Sequence, residues 1–189
     1  MNTKKYAQDL RNAIDIQRYA TLLEKLGTDL NDRKDRFDKS DIIEQAVSVY
    51  SNNRLEWVDG IGRDHHDTVT GLDLEMKYTA DGIFTKTKNP KKIISIKLKN
   101  SLGTHKGTQV DNPADFYIIA QQDSIALISW ADLEPHLEAV SDGIMAKIPF
   151  DALTLIFAPS DVKMTNQLSE SYNYKEQKAK MQKEFIDSV

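Results

Sequence analysis

The sequence predicts an α/β (α+β) fold, in which a mixed central β-sheet is flanked by helices and preceded by a helical N-terminal region. Near the N-terminus apolar residues recur every three or four positions, and from residue 55 onward their period changes to two. Helical and extended segments then alternate toward the C-terminus, which is typical of a domain built around one sheet. With 189 residues the chain is long enough to bury a sizeable core.

Two helices are predicted before the sheet. Residues 5–26 have an amphipathic pattern, and Gly27 follows as a helix stop. After a polar connection, a second helix is expected to open near Ser40 or Asp41, because Glu44 occupies the capping-box position relative to Asp41. The N-terminal helices of residues 1–52 offer an apolar stripe that is expected to face a partner subunit in a dimer.

Alternating segments predict the strands of the sheet. Residues 55–67 and 72–79 are joined by a short turn that contains Gly71, so we expect a β-hairpin. The remaining expected elements are strands at 91–99, 114–121, 124–130 and 153–159, a tight turn at 122–123, and helices at 131–140 and 172–189. The chain is therefore interpreted as one domain, with a helical part at 1–52, a catalytic sheet core at 53–160 and a C-terminal helical part at 161–189.

Composition narrows the class of protein. The chain is 40% hydrophobic and 29% charged, which is ordinary for a water-soluble protein. It has no cysteine, so disulfides and thiolate metal sites are excluded, and a reducing compartment is favoured. Because no long apolar run or signal-peptide pattern is found, we expect a cytoplasmic location and no membrane partner.

Charge is unevenly distributed along this acidic chain. The net charge is −4, yet no acidic residue lies between Asp81 and Asp111. That interval contains Lys86, Lys88, Lys91, Lys92, Lys97, Lys99 and Lys106. Such a basic block is typical of a nucleic-acid contact surface, although a lysine-rich solvated face is an equally open interpretation.

The predicted hairpin concentrates acidic residues. In the second strand Asp73, Glu75 and Lys77 alternate, so they lie on one face. If residues 68–71 form the turn, Asp64 lies opposite Glu75. Two carboxylates beside a lysine suit Mg²⁺ and the hydrolysis of a phosphodiester, whereas the alternative is a surface strand with exposed ion pairs.

The stretch "GRDHHDTVTGLDLEMK" resembles the motif of the PD-(D/E)xK nuclease superfamily, with Arg63 where the motif has proline. Over residues 60–137 the chain is similar to type II restriction endonucleases of the PvuII and EcoRV branch, which also share the pattern "NPADFYIIAQQDSIALISWADLEPHL". The resemblance implies a restriction-endonuclease-like sheet, with Asp64 and Glu75 as magnesium ligands and Lys77 serving the attacking water. Asp67 is a rival for the role of Asp64.

The resemblance also implies that the segment after the Glu-x-Lys strand approaches the DNA major groove. The candidate DNA-binding residues are Lys97, Lys99, Asn100, Ser101, Thr104, His105, Lys106 and Gln109. The expected function is that of a type II restriction endonuclease, a magnesium-dependent homodimer that cleaves a short palindromic site in double-stranded DNA. A structure-specific repair or recombination nuclease and a non-catalytic DNA-binding protein remain alternatives.

The sequence also predicts whether two tryptophans and two histidines outside the motif are buried or exposed. Trp57 and Trp130 adjoin apolar runs, so we expect them in the core. His65 and His66 lack the spacing of a zinc site, so we expect them to be exposed or to lie just outside the metal ligands.

Overall fold

The structure is a computed structural model that describes residues 1–26, 33–60, 62–79, 93–100, 108–121, 124–141 and 143–158. The helices are α1 (Thr3–Ala13), α2 (Ile16–Leu26), α3 (Arg33–Tyr50), α4 (Thr108–Asp111) and α5 (Trp130–Leu133). The strands are β1 (Leu55–Gly60), β2 (Arg63–Asp67), β3 (Asp73–Thr79), β4 (Ile93–Asn100), β5 (Phe116–Gln121), β6 (Ile125–Ser129), β7 (Leu137–Val140), β8 (Gly143–Pro149) and β9 (Thr154–Phe157). Single 3-10 turns occur at Glu134–His136 and Phe150–Ala152.

The predicted α/β class is confirmed. Six strands form a mixed sheet in the order β1-β2-β3-β5-β6-β9, in which β3 and β5 are parallel and the other neighbours are antiparallel. Strands β4, β8 and β7 form a second, three-stranded sheet. The expected turn at 122–123 and the expected helix at 172–189 lie outside the described residues.

Two apolar clusters cover the two faces of the large sheet. Leu74, Met76 and Ile118 belong to the first cluster, together with buried residues of α1, α2 and α3. Tyr117 and Ile119 belong to the second, together with buried residues of β4 and β8 in the small sheet. The large sheet therefore lies between a layer of helices and the small sheet, and neighbouring residues of β5 face opposite layers.

The single helix expected over residues 5–26 is wrong. The chain is extended at Ile14, where α1 ends, and Asp15 accepts a hydrogen bond from the backbone N–H of Arg18 at the start of α2. The backbone N–H of Asp15 donates to the carbonyl of Tyr50, 2.8 Å away. A side chain that caps a new helix competes with continuation of the old one, and residues 14–15 thus separate two helices.

The expected start of the second helix is also wrong, because α3 already includes Arg33. Ser40 lies inside α3, where its hydroxyl donates to the carboxylate of Glu44 at 2.9 Å. In the described part of the apolar stripe, Tyr6, Leu10 and Tyr19 are fully buried in the chain's own first cluster.

The region expected to be one strand at 55–67 contains two, β1 and β2, which pair antiparallel. Of the helix expected at 131–140, only the first residues are helical, because α5 ends at Leu133. Residues Leu137–Val140 form β7, which pairs with β8, a strand that the sequence pattern does not predict. Trp57 is 41% exposed, contrary to expectation, because β1 is an edge strand and irregular pairing follows Trp57. Trp130 is partly buried against the second cluster.

The β2–β3 hairpin has the predicted register. His65 lies opposite Leu74, and the backbone N–H of Asp67 donates to the carbonyl of Leu72 at 2.8 Å. Gly71 has φ +73°, a left-handed conformation that favours glycine, and its N–H closes the turn on the carbonyl of Asp67 at 2.7 Å. Among the described helices, none is long and apolar enough to cross a membrane.

Candidate active site

Asp64 and Glu75 approach each other across the β2–β3 hairpin. Extension of the register beyond His65 and Leu74 places the two carboxyl-bearing residues opposite each other on one face. If the strand pairing continued, a backbone carbonyl of β2 would accept a hydrogen bond from the backbone N–H of Met76. Instead, the side-chain carboxylate of Asp64 accepts this hydrogen bond at 2.7 Å. Asp64 therefore ends the ladder with its side chain and stays beside β3.

Glu75 is a nearly fully buried carboxylate with one oxygen unsatisfied. The residue is 2% exposed, and its Oε1 accepts from the Lys77 ammonium and, at 2.5 Å, from the Gln109 amide. Its Oε2 is buried and has no hydrogen-bond partner among the residues that the structure describes. Because a buried polar atom without a partner is costly, this oxygen is suited to bind a cation.

The electrostatic surroundings of Glu75 disfavour its charge. Burial raises the pKa of Glu75, the ammonium of Lys77 opposes that rise, and the nearby charge of Asp64 adds to it. A divalent cation between Asp64 and Glu75 would relieve both the desolvation and the repulsion. Mg²⁺ is commonly bound by one or two carboxylates while it keeps waters and substrate oxygens, so these residues fit it.

Within the described part of the chain, no group of three or more His, Cys, Asp or Glu residues is arranged to hold a metal ion. The candidate donors are the two carboxylates of Asp64 and Glu75, and a metal ion held by them would take its other ligands from water and phosphate oxygens. Such an incomplete set is characteristic of magnesium sites that are completed by substrate.

Glu44 is a further acidic residue near the site, and its sequence position predicts only a helix cap. Burial and the charge of Asp64 raise the pKa of Glu44 to about 7, while the Ser40 hydroxyl and Lys77 oppose the rise. α3 thus brings a third carboxyl group close to Asp64 and Lys77. No motif spacing links Glu44 to the hairpin, and only the packing of α3 on the sheet places it there.

His65 fixes α3 to β2. It is fully buried, and its Nε2 lies 2.8 Å from the backbone carbonyl of Glu44. Burial lowers the pKa of His65, so we assign a neutral ring whose Nε2–H donates to that carbonyl. His65 is thus not exposed, and it connects the helix bearing Glu44 to the strand bearing Asp64.

Asp67, the rival for the role of Asp64, lies on the opposite face of β2. Its carboxylate accepts two bonds from the Arg54 guanidinium, at 3.0 and 3.2 Å, and one from the Tyr6 hydroxyl at 2.8 Å. Burial alone would raise the pKa of Asp67, but these bonds, together with one from the backbone of Val69, lower it to about 2. The structure does not bring Asp67 together with Glu75.

Asp73 shares a face with Glu75 but forms a separate, more exposed cluster. Its carboxylate contacts Arg63 at 2.5 Å and the Nδ1 of His66 at 2.8 Å. Burial would raise the pKa of Asp73, but the bonds from His66 and Arg63 lower it. These two side chains therefore serve Asp73 rather than the Asp64–Glu75 pair.

The candidate DNA-binding residues are only partly within the described chain. Lys97 lies on the exposed face of β4. For Lys99 and Asn100, in the same strand, the structure describes only the backbone. Gln109, on α4, binds the carboxylate of Glu75. Ser101, Thr104, His105 and Lys106 lie outside the described residues, as do the lysines at 86–92.

The class that fold and site define is thus a mixed α/β protein with two facing carboxylates and a lysine at one edge of a hairpin. Comparison with known proteins identifies no relative of the chain. No family model, no curated protein and no solved structure matches the chain.

Proposed function

We propose that the protein is a magnesium-dependent DNA endonuclease of the type II restriction class, in which a homodimer cleaves a short palindromic site. The observation that carries the proposal is the buried, unpartnered Oε2 of Glu75, which lies across the hairpin from Asp64 and beside Lys77. A surface strand with ordinary ion pairs does not require a carboxylate that is 2% exposed and half satisfied.

Each side chain of the site has its own role in the proposed reaction. Asp64 and Glu75 hold the metal, which supplies charge neutralisation at the phosphate when it is bound. The ammonium of Lys77 orients the attacking water and stabilises the negative charge that develops on the phosphate. Water attacks phosphorus in line with the 3′ oxygen, and cleavage of the bond to that oxygen leaves a 5′ phosphate and a 3′ hydroxyl.

The proposed DNA contact is inferred from where the basic residues lie in the sequence relative to the site. The basic, acid-free interval between Asp81 and Asp111 includes β4 and α4, and α4 contacts the site through Gln109. DNA held by this interval would therefore lie next to Glu75. A homodimer matches the two-fold symmetry of a palindrome, and Tyr6, Leu10 and Tyr19 are not part of its interface because they are buried in the chain's own first cluster.

The test is cleavage of plasmid DNA in the presence of magnesium or of a chelator. Lys77→Ala is compared with Lys147→Ala, since Lys147 is an exposed lysine paired with Glu138 on the small sheet. We expect discrete, magnesium-dependent fragments from wild type and Lys147→Ala, and at least a 100-fold slower reaction from Lys77→Ala. DNA retention without cleavage would contradict the proposal, and cleavage of branched DNA alone would favour a structure-specific nuclease.

A further inference from the structure

Gln109 is held at both its side chain and its backbone. Its Nε2 donates to Glu75 Oε1 at 2.5 Å, and its backbone carbonyl accepts from the Tyr117 hydroxyl at 3.0 Å. Tyr117 lies directly beside Glu75 in the parallel β3–β5 register and is itself fully buried. The amide of Gln109 is thus fixed against the carboxylate by groups of the large sheet.

We propose that Gln109 is a positioning residue for Glu75 and not a reader of DNA bases. The inference rests on the proposed nuclease function and deepens it. The amide fixes Oε1, so that the carboxylate presents Oε2, the oxygen without a partner, to the metal. A side chain that orients a metal ligand typically changes metal affinity by about 10- to 100-fold when it is removed.

The shared contact on Oε1 gives the amide a second role. The ammonium of Lys77 also binds Oε1 of Glu75. An ammonium has three N–H donors, so Lys77 can also contact the attacking water, and the buried carboxylate would have fewer hydrogen bonds if its bond from Lys77 weakened and no other donor were present. The amide of Gln109 remains on Oε1, which keeps Glu75 oriented while Lys77 contacts the water.

A purely structural role for Gln109 would have different consequences. Within the described chain α4 is also held by Val110, which packs against the second apolar cluster, and by the bond from Tyr117 to the Gln109 backbone. Neither contact involves the Gln109 amide. Gln109→Met keeps the size and packing of the side chain but removes its donor, whereas Val110→Ala loosens α4 and leaves the donor in place.

The experiment measures the magnesium concentration for half-maximal cleavage of plasmid DNA by full-length wild type, Gln109→Met, Gln109→Glu and Val110→Ala. We expect an increase of about tenfold or more for Gln109→Met and a larger one for Gln109→Glu, whose carboxylate repels Glu75. Val110→Ala should stay within about twofold of wild type at a temperature where it is folded. The cleaved sequence should be the same for all variants.

Calorimetric titration of the DNA-free proteins with magnesium supplies a readout that does not depend on turnover, and the same order of affinities is expected there. A wild-type magnesium requirement in Gln109→Met, an equal shift in Val110→Ala, or an altered cleavage sequence in Gln109→Met would each overturn the positioning role while the nuclease proposal stands. Failure of the wild type to cleave with magnesium would overturn the nuclease proposal, and this inference with it.

Discussion

Asp64 and Asp67 belong to one five-residue strand, yet the two faces of the hairpin give them opposite surroundings. Asp67 faces the helices, where the Arg54 guanidinium and the Tyr6 hydroxyl satisfy its oxygens and its pKa falls to about 2. Asp64 faces Glu75, whose pKa is raised and whose Oε2 has no partner.

The difference separates a structural carboxylate from a candidate functional one. A charge that is fully paired inside the protein has no capacity left for a ligand, and removal of one partner destabilises the fold. A buried carboxylate with an unsatisfied oxygen destabilises the free protein, and a bound cation would recover that cost. The partner that each carboxylate faces, Arg54 and Tyr6 for Asp67 and Glu75 for Asp64, is not displayed by the sequence and therefore distinguishes the two aspartates.

The largest effect expected from this comparison is on cleavage. Asp64→Asn should reduce the rate of magnesium-dependent DNA cleavage by at least about 1000-fold, because the amide is a poor magnesium ligand. Its free energy of unfolding should change by less than about 1 kcal/mol, since the amide oxygen still accepts from Met76 N–H. Cleavage rates and urea unfolding curves of both proteins check this prediction.

Asp67→Asn is the matched variant, and it should cleave at the wild-type rate under conditions where it is folded. Equal losses of cleavage in the two variants, with both proteins folded, would mean that the contrast between the faces has no functional meaning. A loss confined to Asp67→Asn would assign the metal to the helical side of the sheet.

The next largest effect is on stability and concerns Asp67. Asp67→Asn should lower the free energy of unfolding at pH 7 by about 2 kcal/mol, because the Arg54 guanidinium and Tyr6 hydroxyl lose a charged partner in a buried position. Urea unfolding at pH 7 measures the loss. An unchanged midpoint would show that the bonds to Asp67 contribute nothing net to the fold.

The same pair predicts a pH dependence. The pKa of Asp67 is lowered from 3.8 to about 2 in the folded protein, so its stabilising effect is complete above pH 3.8 and is lost as the pH falls toward 2. Between these values the stability of the wild type should fall more steeply than that of Asp67→Asn. Thermal unfolding of both proteins at intervals across this window tests the difference in slope.

The hairpin shows how far the sequence can predict the site. If residues 68–71 form the turn, Asp64 is predicted opposite Glu75, and the structure has the corresponding pairing of His65 with Leu74. Patterns of this kind repeat every two residues, so they separate the faces of a strand. One sequence does not fix the register of a hairpin, and a shift by one residue exchanges the two faces, so Asp64 and Asp67 are both candidates from the sequence alone.

The features that the sequence does not predict depend on contacts between segments that are far apart in the chain. Glu44 reaches Asp64 through the packing of α3, and Gln109 reaches Glu75 from another short helix, with no spacing rule that links either to the motif. The helix break at Asp15 depends on a local cap and on a bond to the carbonyl of Tyr50, which lies far away in sequence. Such interactions arise only after the layers have packed.

The smallest effect concerns the turn that separates the two faces. Gly71 has φ +73°, and a Cβ at this position would meet no atom within 4 Å, so the cost of Gly71→Ala is backbone strain alone. We expect a loss of about 1 kcal/mol in the free energy of unfolding, and a smaller loss for Gly71→Asn, because asparagine tolerates the left-handed region. Equal losses in urea unfolding would argue against strain as the cause. Both variants should keep the wild-type magnesium requirement for cleavage if pairing along β2 and β3, rather than the turn, holds Asp64 opposite Glu75.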